Sequence, residues 1–173
     1  MAGTLDQSYT TNTGSAAWAH NSGTGFTYIA QQVVIGVAGD VSQVDCYLKK
    51  TGTPTADLTC EIWSDSGDSP NAKLSDSQTI AMSSLTTSLV YRQFDFSTQP
   101  TVGIGDKIWI VMWVAAAHDT NYPSWGTGGN GYAGTAAKWS DDSGSTWSDR
   151  GFGDANFKQY YIGAATSEMF LMF

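Results

Sequence analysis

This chain is short of charge, and of basic charge most of all. Of its 173 residues, 8 are Lys or Arg against 16 Asp or Glu, giving a formal net charge of -8 and a pI near 4.3. The basic residues are scattered from Lys49 to Lys158; phosphate binding needs a basic patch, so no nucleic-acid partner is expected. Charged residues reach only 14%, against roughly 25% in ordinary soluble domains. The surface is therefore polar through hydroxyls and amides, a composition common in extracellular and virion β proteins. No apolar run approaches the ~18 residues of a membrane-spanning helix, and no membrane partner is expected. Met1 to Asp6 lacks the basic and apolar regions of a signal peptide. Release by cell lysis, as for a virus particle, is the expected route outside.

Chemistry-bearing patterns are equally scarce. The two histidines, His20 and His118, have no second His, Cys or carboxylate at metal-ligand spacing, so neither a metal nor another cofactor is expected. There is no G-x-S-x-G elbow, phosphate loop or H-E-x-x-H, which leaves hydrolase chemistry without an anchor. A glycosidase needs two carboxylates about 5 to 9.5 Å apart. Sequence order alone does not establish such a pair among Asp119, Asp141, Asp142, Asp149 and Asp154, and no enzyme is expected.

What is present is strand grammar: alternating or continuous apolar runs bounded by Gly, Asp, Asn, Ser and Pro. Strands are expected at Thr27 to Val34, Val41 to Lys50, Leu58 to Trp63, Ser77 to Met82, Leu89 to Phe96, Lys107 to Val114, Ala136 to Ser140 and Asn156 to Ile162. Lys107 to Val114 is almost wholly apolar and reads as a central strand packed on both faces. The expected fold is all-β, a jelly-roll-like antiparallel β-sandwich over residues 27–162, with an amino-terminal arm (1–26) and an apolar carboxy-terminal tail (163–173).

Ser140-Asp141-Asp142-Ser143-Gly144-Ser145-Thr146-Trp147 satisfies S-x-D-x-G-x-T-W, the Asp-box, once. In that motif the Asp and Gly shape a tight turn between strands and the Trp packs back on the hairpin, so its role is structural. Sialidase-type propellers carry one box per blade and need roughly four to eight blades, more than this chain holds. The functional alternative is a sugar-stacking face on Trp139 or Trp147.

Val44, Cys46 and Leu48 share one face of their strand, and Leu58, Cys60 and Ile62 one face of the next. Pairing Lys50 with Ala56 across the turn Thr51-Gly52-Thr53-Pro54-Thr55 sets Cys46 opposite Cys60, at a Cα separation of about 4.5 to 5.5 Å that a disulfide can bridge. Two reduced, buried thiols acting as small hydrophobes fit the pattern as well.

Val44 to Thr55, followed by Leu58-Thr59-Cys60-Glu61-Ile62 and Asp65-Ser66-Gly67-Asp68-Ser69-Pro70, resembles a β-sandwich module recurrent in tailed-phage structural proteins and in some bacterial surface proteins. Further matching pieces follow in order: Ser83 to Ser88, Arg92 to Phe96, Gly105 to Val111, Asn121-Tyr122 with Trp125-Gly126, and the Asp-box. The likeness covers residues 29–162. It implies a non-catalytic jelly roll similar to carbohydrate-binding modules, with Cys46 and Cys60 at positions that are usually apolar.

Four expectations follow. The stretch from Tyr122 through Trp125 to Tyr132, with Asn121 and Asn130, offers aromatic faces and amides suited to a glycan; bracing of a glycine-rich loop is the alternative. Asp65 and Asp68 have the oxygen-rich character calcium accepts, though turn capping explains them too. Met169, Phe170, Leu171, Met172 and Phe173 either contact a neighbouring subunit, as the amino-terminal arm would, or form a final strand of the chain's own sheet. The function expected is a virion structural protein, a capsid decoration or head/tail accessory subunit. Its partners would be other virion subunits, further copies of itself and cell-surface glycans. The runner-up is a carbohydrate-binding module of a bacterial surface protein or glycoside hydrolase. The start at Met1 and the apolar end favour a complete small protein.

Overall fold

A computed structural model describes residues 3–18, 27–115, 120–132, 136–149 and 153–163. His20, His118, Asp119 and Met169 to Phe173 lie outside the described residues. The strands are β1 (Thr4–Tyr9), β2 (Gly14–Ala17), β3 (Tyr28–Val34), β4 (Gly39–Thr51), β5 (Asp57–Asp65), β6 (Pro70–Lys73), β7 (Gln78–Ala81), β8 (Val90–Asp95), β9 (Thr101–Val102), β10 (Lys107–Val114), β11 (Tyr122–Thr127), β12 (Ala137–Ser140), β13 (Ser148–Asp149) and β14 (Phe157–Ile162), with one 3₁₀ turn at Met82–Ser84.

Two seven-stranded antiparallel sheets form a β-sandwich. Sheet A runs β1-β14-β4-β11-β2, with β8 and β9 also on β4; sheet B runs β13-β12-β3-β10-β5-β6, with β7 also on β5. β4 is the spine of sheet A. It pairs with β14 through Asp40–Cys46 and with β11 through Leu48–Thr51 on one edge, and with β9 and β8 on the other.

Alternation along the strands supplies the core between the sheets. Ile108, Ile110, Met112 and Val114 of β10 join Ile29 and Val33 of β3 and Leu58, Cys60 and Ile62 of β5, facing Val44, Cys46, Leu48, Trp125 and Phe157 of sheet A. β10 is central in sheet B, between β3 and β5. Its other side is buried as well: Trp109 and Val111 form a second cluster with Ala30. Its near-continuous apolar run follows from burial on both faces.

Three expectations are corrected. The amino-terminal segment is not a free arm over its described part: β1 pairs with β14, β2 pairs with β11, and Tyr9 and Trp18 enter the core. A register shift between Leu5 and Gln7 breaks the alternation that would have announced β1. Tyr122–Thr127 is not a loop but a strand held between β4 and β2. Pro123 tells against a strand in sequence, yet it sits at the start of β11, where its carbonyl accepts from Trp18 N at 3.3 Å. Cys46 and Cys60 are not cross-strand neighbours. β4 and β5 lie in different sheets, so the turn after Thr51 carries the chain from one sheet to the other, and both cysteines are buried free thiols.

Candidate functional site

The outer face of sheet B gathers four partly exposed aromatics, Tyr28, Trp63, Trp113 and Trp147. Register builds it in rows. Trp109 lies between Gln32 and Trp63, Val111 between Ala30 and Glu61, and Trp113 between Tyr28 and Thr59. Ala30 and Val111 of the middle row are fully buried beneath the large rings of the flanking rows. Tyr28 stacks on Trp113 with centroids 5.6 Å apart and planes 10° apart. Trp147 stands edge-on to Tyr28 at 6.4 Å and to Trp63 at 6.1 Å. Tyr28, Trp63, Trp113 and Trp147 are each half-buried.

Trp147 is delivered by the turn joining β12 to β13. The Asp142 carboxylate organises that turn, accepting from Thr146 N at 2.8 Å, Thr146 Oγ1 at 2.6 Å and Ser140 Oγ at 2.7 Å, while Ser140 Oγ accepts from Gly144 N at 2.9 Å. Donation from the Thr146 hydroxyl first, then from its amide and from Ser140, lowers Asp142 to a pKa of about 2. Gly144 has φ +83° and lies so close to the rings that an added Cβ would meet Trp63 at 3.2 Å, so both conformation and space select glycine.

Beneath the rings, polar atoms are sorted into satisfied and unsatisfied. Glu61, 5% exposed, accepts from Trp63 Nε1 at 2.8 Å and Ser77 Oγ at 2.5 Å, with Lys73 Nζ 3.7 Å away. Asp65 Oδ1 accepts from Trp109 Nε1 and Gln32 Nε2, both at 2.8 Å. The Nε1 atoms of Trp113 and Trp147 are buried without an acceptor among the described residues. Each such donor costs about 1–3 kcal/mol if it stays unpaired. This face can therefore offer the half-buried ring surfaces of Tyr28, Trp63, Trp113 and Trp147 to a ligand rich in C–H faces.

The residues singled out in sequence do not converge on one surface. Trp125 is fully buried in the core, its Nε1 donating to Asn156 O at 2.8 Å, so it has no face for a sugar. Gly126, next along the strand, faces the other side of the sheet, where an added Cβ would lie 2.6 Å from Tyr47 Cδ1. Asn121 Oδ1 accepts from Thr53 N at 2.8 Å and braces the turn at Gly52. Tyr122 is half-buried opposite Thr51. The Tyr132 hydroxyl donates to Gln7 Oε1 at 3.0 Å, its ring packs edge-on against Phe157, and burial pushes its phenol up to about 12. Asn130 alone of the five is exposed.

The oxygens of Asp65 and Asp68 are engaged too. Asp65 Oδ2 accepts from Asp68 N at 3.4 Å, and Asp68 Oδ1 pairs with the Lys107 ammonium; among the described residues no three potential ligands gather for a metal ion. A groove of ≈ 420 Å³ lies beside this pair, lined by Ser64, Asp65, Leu74, Val102, Lys107 and Ile108. It has no aromatic wall.

The aromatic cluster was only partly visible in sequence. Trp147 stood out through its motif, but Trp63 and Trp113 read simply as strand residues, and only the register of three strands brings them together. Compared with family models, with curated proteins and with solved structures, the chain matches none.

Proposed function

We propose that this chain is a phage virion structural protein, a capsid decoration or head/tail accessory subunit, acting by adhesion rather than catalysis. Its glycan-contacting surface is the outer face of sheet B. The observation that carries the adhesive part is the grouping of the half-buried Tyr28, Trp63, Trp113 and Trp147 on one face. Aromatic rings take the C–H face of a pyranose. The virion part rests on the ordered resemblance over residues 29–162 and on the low-charge, hydroxyl-rich composition.

Two measurements test this reading. The first is whether the protein sediments stoichiometrically with phage-like particles; hundreds of copies favour a capsid lattice, and a few tens or fewer favour tail or vertices. The second is glycan-array binding of the wild type and of Trp113→Ala, with an expected loss of roughly tenfold in the variant. Glycan binding without particle association selects the runner-up, a carbohydrate-binding module of a bacterial surface protein or glycoside hydrolase, which the aromatic face also favours. Absence of both sinks the proposal.

A further inference from the structure

Cys46 and Cys60 are the only cysteines in the chain. Both are 0% exposed and belong to one core cluster. Cys46 points inward from β4, where its ladder partners are Phe157 and Arg92; Cys60 points inward from β5, where its partners are Met112 and Gln78. The two thiols thus approach from opposite sheets, one strand before and one strand after the crossing between them. Burial first, and then a hydrogen bond with the Cys60 side chain, pushes the Cys46 thiol well above its ordinary range. Cys46 consequently supplies almost no thiolate, the reactive form, while the core shuts both thiols off from solvent.

We propose that Cys46 and Cys60 are a latent inter-sheet crosslink, closing to a disulfide when the chain folds, or opens and recloses, in the presence of a small-molecule disulfide. The native domain, once folded reduced, resists the same reagent. One cysteine thiolate attacks oxidised glutathione, its S–S bond breaks and one glutathione leaves as thiolate. The second cysteine thiolate then attacks the protein sulfur of the mixed disulfide and expels the other glutathione. Two thiol protons pass to solvent, and two electrons reduce the reagent disulfide. The state of the pair is thus set by the redox conditions under which the sandwich assembles.

The test uses the full chain, unfolded in denaturant and refolded with oxidised glutathione, beside a native reduced sample given the same reagent. Free thiols are then alkylated in denaturant and the intact mass is read. The expected result is a refolded protein lighter by two hydrogens with no alkylated cysteine, and a native sample with both cysteines alkylated. The crosslinked form should melt roughly 6–12 °C above the reduced one. Cys60→Ala refolded in the same way should carry one glutathione and show no rise in Tm attributable to a crosslink. Two alkylated cysteines, or two glutathione adducts, in the refolded wild type would overturn the crosslink. Rapid loss of both thiols in the native sample would overturn the burial gate.

Discussion

The inner and outer faces of sheet B come from the same strands and are closed in different ways. Inside, Ile108, Ile110 and Met112 meet a second full sheet, and Trp125, reaching in from that sheet, has both its ring and its N–H satisfied. Outside, Ala30, Trp109 and Val111 are covered by side chains alone, Tyr28, Trp63, Ala136 and the Trp147 of one short turn. That cover buries Trp109 completely, yet Trp113 is left half-buried with an indole N–H that has no acceptor among the described residues. A face closed by a sheet becomes core; a face closed by a turn keeps an open margin, and that margin is where a ligand can compete.

The largest expected effect tests the inner face. Trp125→Ala removes a fully buried indole and should cost about 3–5 kcal/mol of unfolding free energy, read by urea denaturation, while the folded fraction keeps its glycan affinity. A loss of affinity in that fraction would erase the distinction between the faces. Trp113→Ala should cost roughly half as much, in proportion to its partial burial, and should lose the affinity that Trp125→Ala retains. Equal stability costs for the two would mean that the outer cluster is simply more core. Asn121→Ala removes the acceptor for Thr53 N; a loss of about 0.5–1.5 kcal/mol is expected, with glycan binding unchanged, because Asn121 belongs to neither face.

The smallest effect is acidification. The pKa of folded Asp142, about 2, lies below the ordinary 3.8, so its stabilising contribution is complete above about pH 4 and is lost as pH falls through about 2. The group is exposed, which keeps the contribution small. Loosening of the turn should shift Trp147 fluorescence in that window, and Asp142→Asn should remove the step. A wild-type shift completed above pH 4 would assign it to another carboxylate.

Most of the sandwich was legible. All eight strands expected from periodicity exist, with ends within about two residues of the expected ones, in keeping with the looseness of strand boundaries. The strands missed are those whose period is broken or too short to see: β1 with its register shift, the short β2, β6, β9 and β13, and β11 with Pro123 near its start. The site was less legible, for a geometric reason. Asn121, Tyr122, Trp125, Asn130 and Tyr132 are near one another in sequence but point to different places once β11 enters sheet A. Tyr28, Trp63, Trp113 and Trp147 are remote in sequence and are joined only by strand register. Cys46 and Cys60 show the same limit: facing positions were correctly read within each strand, but the sheet to which each strand belongs was not.

β4 leaves little backbone uncommitted. With β14 and β11 along one edge and β9 and β8 along the other, removing any one neighbour leaves it anchored by the remaining three. Its amide protons should accordingly be among the last to exchange with solvent. A load applied along β4 would be shared among four strands instead of being borne by a single ladder.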